Sequence, residues 1–232
     1  MGDHGAEKGI FITLEGMDGC GKSTKGRMLG CELTLKGREV VTLRDPGSAE
    51  ISERIREILL DPEATAMVSD CELMLFEAAR AQLTRELIMP ALERGAVVIC
   101  DRYCDSTFAY QAAGRGLDEN LVRTANALGS CGVSPDRTIV FDLEADESYE
   151  RATRHGVDRM ELGGASFQER VRAGYLRLAQ EEPQRVRVVN AHGEKAEVYA
   201  RMRDELMDLL PELQSPMPDP EVLLANPEGE AE

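Results

Sequence analysis

Five apolar runs of strand length punctuate the chain: IFITLE at 10–15, VVTL at 40–43, VVIC at 97–100, TIVFDL at 138–143 and VRVVN at 186–190. Most are nearly continuous rather than alternating, the pattern of strands buried on both faces. Longer stretches of helical period lie between them. STKGRMLGCELTLK stops at Gly37, a residue able to close a helix in the left-handed conformation. DCELMLFEAARAQLTRELIMPALERG reads as the longest helix and ends at Gly95. Strand and helix alternate, which predicts an α/β fold: a parallel five-stranded sheet covered by helices on both faces. No internal repeat and no break in composition appears before residue 211, so residues 1–210 read as a single domain. The segment 211–232 holds five of the ten prolines, six acidic side chains and no basic one. That composition disfavours a packed core and predicts a disordered tail.

Composition narrows the range of partners. With 27 basic against 43 acidic residues among 232, the net charge is −16. A chain this acidic is unsuited to non-specific nucleic-acid binding, which rests on basic surface. Any anionic ligand must be met by a local concentration of the few cations. No apolar run approaches a membrane span, and MGDHGAEKG lacks the apolar centre of a signal peptide. The six cysteines (20, 31, 71, 100, 104 and 131) form no C-x-x-C pair. They read as reduced thiols of a cytoplasmic protein.

The chemistry begins behind the first strand. Gly16 to Ser23 reads GMDGCGKS, a match to G-x-x-x-x-G-K-[ST]. A strand feeding a glycine-rich turn and then a helix aims backbone N–H groups and a helix N-terminus at one point. Gly16, Met17, Asp18, Gly19, Cys20, Gly21, Lys22, Ser23 and Thr24 thus form a candidate ATP phosphate site. Lys22 is placed for the β- and γ-phosphates and the Ser23 hydroxyl for Mg²⁺. The loop alone does not define a reaction. No N-K-x-D or T-K-x-D tetrad and no LSGGQ signature occurs, leaving small-molecule kinases as the leading class.

VVICDRYCDSTFAYQAAGRGL then places Asp101 at the carboxyl end of the third strand, where ligands of open parallel sheets gather. Asp101 is a candidate second Mg²⁺ ligand opposite Ser23, and Arg102 beside it can neutralise a second phosphate. Ser106, Thr107, Tyr110 and Gln111 are polar groups able to line a pocket.

Together with LEGMDGCGKST, the LRDPG turn, LFEAARAQ and DRME followed by FQERVRAGYLRLA, this segment makes the chain resemble the bacterial thymidylate kinases. These are P-loop nucleoside monophosphate kinases, and the resemblance spans nearly all of residues 9–210. It implies transfer of the γ-phosphoryl group of ATP to dTMP by a homodimer, with the long helix around 70–93 near the contact. By the same resemblance Asp18 holds the sugar 3′-hydroxyl, Phe76 stacks on thymine and Arg80 bonds a base oxygen. Arg102 grips the acceptor phosphate, Tyr110 lies against the deoxyribose, and Ser106, Thr107 and Gln111 surround the base edge. Arg44 belongs to a substrate-binding turn. The polar segment 151–165 reads as a lid whose Arg154 and Arg159 act with Lys22 and Arg102 on the transferred group. One departure stands out. The family turn R-E-P-G-G-T is here Arg44-Asp45-Pro46-Gly47-Ser48-Ala49.

A kinase of this architecture acting on another monophosphate, or a regulator that binds nucleotide without catalysis, are the alternative readings. The loop Ala191–Glu194 is the candidate adenine contact.

Overall fold

A computed structural model describes residues 8–152, 159–160 and 163–225. In chain order its elements are β1 (Ile10–Glu15), α1 (Lys22–Leu35), β2 (Val40–Arg44), α2 (Glu50–Leu60), α3 (Ser69–Leu83), α4 (Met89–Glu93), β3 (Val97–Asp101), α5 (Cys104–Thr107), α6 (Glu119–Gly129), β4 (Arg137–Asp142), α7 (Ala145–Ala152), α8 (Gly164–Glu181), β5 (Val186–Asn190), α9 (Lys195–Asp204) and α10 (Pro220–Ala225). Among the described residues the strands form one five-stranded sheet in the order β2-β3-β1-β4-β5, every neighbouring pair parallel. The α/β reading and all five strands are therefore as the hydrophobic pattern predicts.

The near-continuous apolar strands have the expected cause. On one face Ile12, Leu14 and Ile139 pack against Met28 and Leu29 of α1 and Val198 and Met202 of α9. On the other, Phe11 and Val98 pack against Leu83, Ile88 and Ala91. The long helix of 70–95 is one element with a π-helical turn at Thr84–Ile88 just before Pro90. A proline has no N–H to give, and the widened turn takes up that interruption.

The C-terminal segment differs from its predicted disorder through residue 225. Pro211–Gln214 forms a 3₁₀ turn and α10 packs on α1. Leu213 and Leu223 are wholly buried in the same core cluster as Met28 and Leu29. Lys36 Nζ donates to Glu212 O at 3.0 Å, and Arg38 to the Glu212 carboxylate at 3.2 Å. Composition flagged the prolines and charges, but two leucines and the exposed end of α1 decide the outcome. All six cysteines are free thiols. No helix among the described residues is long and apolar enough to cross a membrane.

Candidate active site

The glycine-rich loop, the candidate phosphate site, joins β1 to α1. Gly16 has φ 130° and Gly21 has φ 87°, a region that side chains disfavour. At Gly16 a Cβ would also lie 2.6 Å from the Phe141 carbonyl oxygen, so only glycine fits between the loop and β4. The Met17 and Cys20 side chains turn into the core, leaving their backbone to face a ligand. Lys22 Nζ donates to Gly16 O at 3.0 Å and Met17 O at 2.9 Å, bending the lysine back across the loop. Ser23, at the α1 N-terminus, donates to Asp101 Oδ2 at 2.6 Å. Two hard oxygen donors already side by side are a set suited to Mg²⁺.

Two pockets open here. The first is lined by Gly19, Gly21, Lys22, Ser23, Thr24, Arg44 and Asp101. The second is lined by Asp45, Pro46, Leu60, Phe76, Arg80, Thr107, Tyr110, Gln111 and Met160, with Ser106 at its edge. Asp18, Arg56 and Arg102 border both.

Arg102 organises the junction. Its φ is 70°, a strained left-handed conformation for a residue with a Cβ, and such strain concentrates at functional sites. Nη2 donates to Asp18 Oδ1 at 2.8 Å and to the Tyr110 hydroxyl at 3.1 Å, while Nη1 donates to Ser106 Oγ at 3.0 Å and the Tyr175 hydroxyl at 3.1 Å. Burial would raise the pKa of Asp18, but the charges of Arg102 and Lys22 outweigh it and hold the carboxyl well below the usual range. Tyr110 also donates to Asp18 Oδ2 at 3.3 Å, so Asp18, Arg102 and Tyr110 form one hydrogen-bonded unit.

Other predicted residues stand differently. Phe76 is half-buried on the pocket wall rather than in the core. Arg80 borders the pocket, yet all five of its N–H groups are taken. Nε serves Asp45, Nη1 serves Glu77 and Asn126, and Nη2 serves Thr107 and Tyr103 O. In this arrangement it holds the wall together and has no spare donor for a base oxygen. Gln111 Nε2 is bound to Glu72 at 2.8 Å. Arg44 lies on the phosphate side, its guanidinium held by Glu53 at 2.8 Å. In the altered turn Ser48 takes φ 65°, while its hydroxyl accepts from Arg44 N at 2.8 Å and its own N–H donates to Glu53 at 2.6 Å.

The lid reading needs a correction at Arg159. It is buried, donating to Leu59 O at 2.8 Å and to Glu72 Oε2 at 2.6 Å, and it lines neither pocket. The reason is electrostatic. Burial would raise the pKa of Glu72, but bonds from Arg115, Gln111 and Arg159 outweigh it and keep the carboxyl below its usual range. Arg154 lies outside the described residues.

Sequence reading missed Glu15, Arg56 and Tyr175. Glu15 ends β1 fully buried beneath Arg102, and desolvation followed by the charge of Asp105 pushes its pKa up to about 7. A charged residue closing an otherwise apolar strand was the available signal. Arg56 shares the inward face of α2 with Ser52 and Leu59, and Tyr175 lies inside α8, positions with no local mark of function.

A glycine-rich strand-loop-helix junction thus stands beside a second pocket bordered by Arg102 and α3. The thymidylate kinase family model matches residues 14–202. The chain belongs to the thymidylate kinase family. Thymidylate kinase of Trichlorobacter lovleyi is 42% identical over 209 residues, covering 87% of this chain and 98% of that protein. That of Pseudomonas fluorescens is 46% identical over 206 residues, covering 88% and 96%. Among solved structures, thymidylate kinase from Ehrlichia chaffeensis superposes with a TM-score of 0.71 at 31% identity, over 86% of this chain and 99% of that one. Members of the thymidylate kinase family thus share this chain's sequence and fold over nearly the whole described length.

Proposed function

We propose that the protein transfers the γ-phosphoryl group of ATP to the phosphate of dTMP, giving dTDP and ADP. The observation that carries this reading is the shared border of the two pockets. Asp18, Arg56 and Arg102 face both, so a donor in the phosphate loop and an acceptor beneath Phe76 would bring their phosphates together between two arginines. Phosphoryl transfer needs such positioning and charge neutralisation more than covalent help from the protein. The acceptor phosphate is largely dianionic at neutral pH, with a second pKa of about 6, so no general base is required. Lys22, freed from Gly16 O and Met17 O, would bind the transferred group, and Arg102 and Arg56 the acceptor phosphate. Ser23 and Asp101 would hold Mg²⁺, which when bound would supply positive charge to offset that developing during the transfer. Phe76 offers a face for the base and Tyr110 a wall for the sugar. The segment carrying Arg154 is assigned as the lid and Ala191–Glu194 as the adenine contact. We assign a cytoplasmic homodimer: α2, α3 and α6 pack on one another and leave Ile51, Ile58, Val68, Met74, Leu121 and Leu128 exposed, apolar surface suited to a second copy.

The test is ADP release from ATP and Mg²⁺ with dTMP, dUMP, TMP, dCMP, dGMP and AMP in turn. Turnover with dTMP above dUMP, and little with ribose-bearing TMP, is expected. Preference for another monophosphate would overturn the acceptor assignment. ATP binding without any turnover would identify a regulator instead.

A further inference from the structure

We infer that Glu15 is a positioning residue for the acceptor-binding guanidinium of Arg102, acting through the hydroxyls of Ser106 and Tyr175. The inference rests on the reading of Arg102 as the acceptor's phosphate ligand.

Glu15 touches neither pocket, yet it is the hub beneath the junction. Its Oε1 accepts from the backbone N–H of Tyr103 at 2.8 Å and of Ser106 at 3.2 Å. Its Oε2 accepts from the hydroxyls of Ser106 at 2.6 Å and Tyr175 at 2.9 Å. Four donors thus converge on two oxygens, from the β3–α5 connection, α5 and α8. Those same two hydroxyls receive Arg102 Nη1 at 3.0 and 3.1 Å, and lie 2.8 Å from each other. The assignment in which each hydroxyl donates to Glu15 and accepts from Arg102 uses both hydroxyl protons and both Nη1 hydrogens. A carboxylate at Glu15 therefore fixes the direction of the hydroxyl dipoles, and the dipoles fix Nη1.

The backbone supports the same assignment. Arg102 is held at φ 70° between its own N–H bond to Leu14 O, at 3.0 Å, and the Tyr103 N–H bond to Glu15. Glu15 thus anchors the strained peptide on one side and orients the guanidinium on the other. A glutamine of the same shape would direct an NH₂ group at donors, and either the backbone pair or the hydroxyl pair would lose its acceptor. Nη1 would then be free to rotate, and Arg102 would relax onto Asp18 and Tyr110 alone.

The experiment measures dTMP binding by calorimetry and steady-state turnover in wild type, Glu15→Gln, Tyr175→Phe and the double variant. Glu15→Gln is expected to weaken dTMP binding by about tenfold or more, the scale of a misplaced buried hydrogen-bond set, with the KM for ATP within about twofold of wild type. Tyr175→Phe is expected to weaken dTMP binding severalfold, and the double variant to be no worse than Glu15→Gln, since both act through one path. Equal losses for ATP and dTMP would mark a general structural defect and overturn the inference. Additive losses, or Tyr175→Phe binding dTMP like wild type, would overturn it as well, and the latter result is available even if Glu15→Gln does not fold. Wild type that binds dTMP but turns it over with no donor would overturn the proposed function while leaving the binding comparison to decide Glu15.

Discussion

Replacing Glu15 by glutamine should change how stability depends on pH. The carboxyl is fully buried, and desolvation, reinforced by Asp105, raises its pKa from 4.5 to about 7 against the opposing pull of Arg102 and its hydrogen bonds. The folded protein therefore keeps this proton where the unfolded chain has released it. The stabilisation is complete below the unfolded value of 4.5 and is lost as pH rises through about 7. A shift of that size corresponds to about 3 kcal/mol at about 1.4 kcal/mol per unit. About three quarters of it is spanned between about pH 5 and about pH 8, leaving about 2.5 kcal/mol to be measured there. Urea unfolding of wild type and Glu15→Gln at those two pH values is the assay. Every other titration is common to both proteins and cancels in the difference. Wild type should lose about 2.5 kcal/mol more than the variant on going to the higher pH, or about 5–10 °C in Tm for a chain of this size. Parallel profiles, agreeing within about 0.5 kcal/mol, would mean that Glu15 ionises normally and that the burial argument is wrong. The prediction also exposes a conflict within the site. The form of Glu15 that orients Arg102 is the ionised one, and it is the form that burial penalises.

Three further outcomes follow from the geometry. Lys22→Met should lower kcat by roughly 10²–10³-fold, the scale for losing one preorganised charge donor, with little change in Tm; retention of a tenth of wild-type kcat would contradict the role given to it. Arg159→Ala should cost about 1–3 kcal/mol in stability, because Glu72 keeps Arg115 and Gln111 but loses one charged partner, while kcat stays within about threefold. A kcat loss as large as that of Lys22→Met would return Arg159 to the catalytic set. Leu223→Ala should destabilise by about 2–4 kcal/mol through an unfilled core position, read as a fall in Tm, and an unchanged Tm would show that α10 is not docked in solution.

Much of the architecture was legible because its signals are local. Buried strands announce themselves as apolar runs, and all five lie within a residue or two of their predicted ends. The phosphate loop is equally local, since glycine at Gly16 and Gly21, the lysine and the serine are demanded by backbone conformation and ligand chemistry within eight residues. Asp101 and Arg102 stood out as candidates because the end of a parallel strand is a fixed place in the fold. The second pocket was legible mainly through resemblance, because Phe76, Arg80 and Gln111 carry no local mark that separates a pocket wall from a core.

Long-range pairing decided the rest. Arg159 reads as a mobile cation along the chain, but a buried carboxylate at Glu72, 87 positions away, claims it. The resemblance makes Arg80 a donor to a base oxygen, but Asp45, Asn126, Thr107 and Tyr103 O, with Glu77 of its own helix, take all five of its N–H groups. The acidic, proline-rich terminus reads as unfolded, but the end of α1 offers Leu213 and Leu223 a place in the core. Glu15 is the clearest case: adjacent in sequence to the phosphate loop, it takes its meaning from Tyr175, 160 positions away. The sequence by itself determined the fold class, the backbone of the glycine-rich loop and the family, because periodicity and backbone demands act over a few residues. Which charges serve a ligand and which serve each other was decided only by the tertiary structure, since a buried charge takes its role from whichever partners the fold brings within hydrogen-bonding distance.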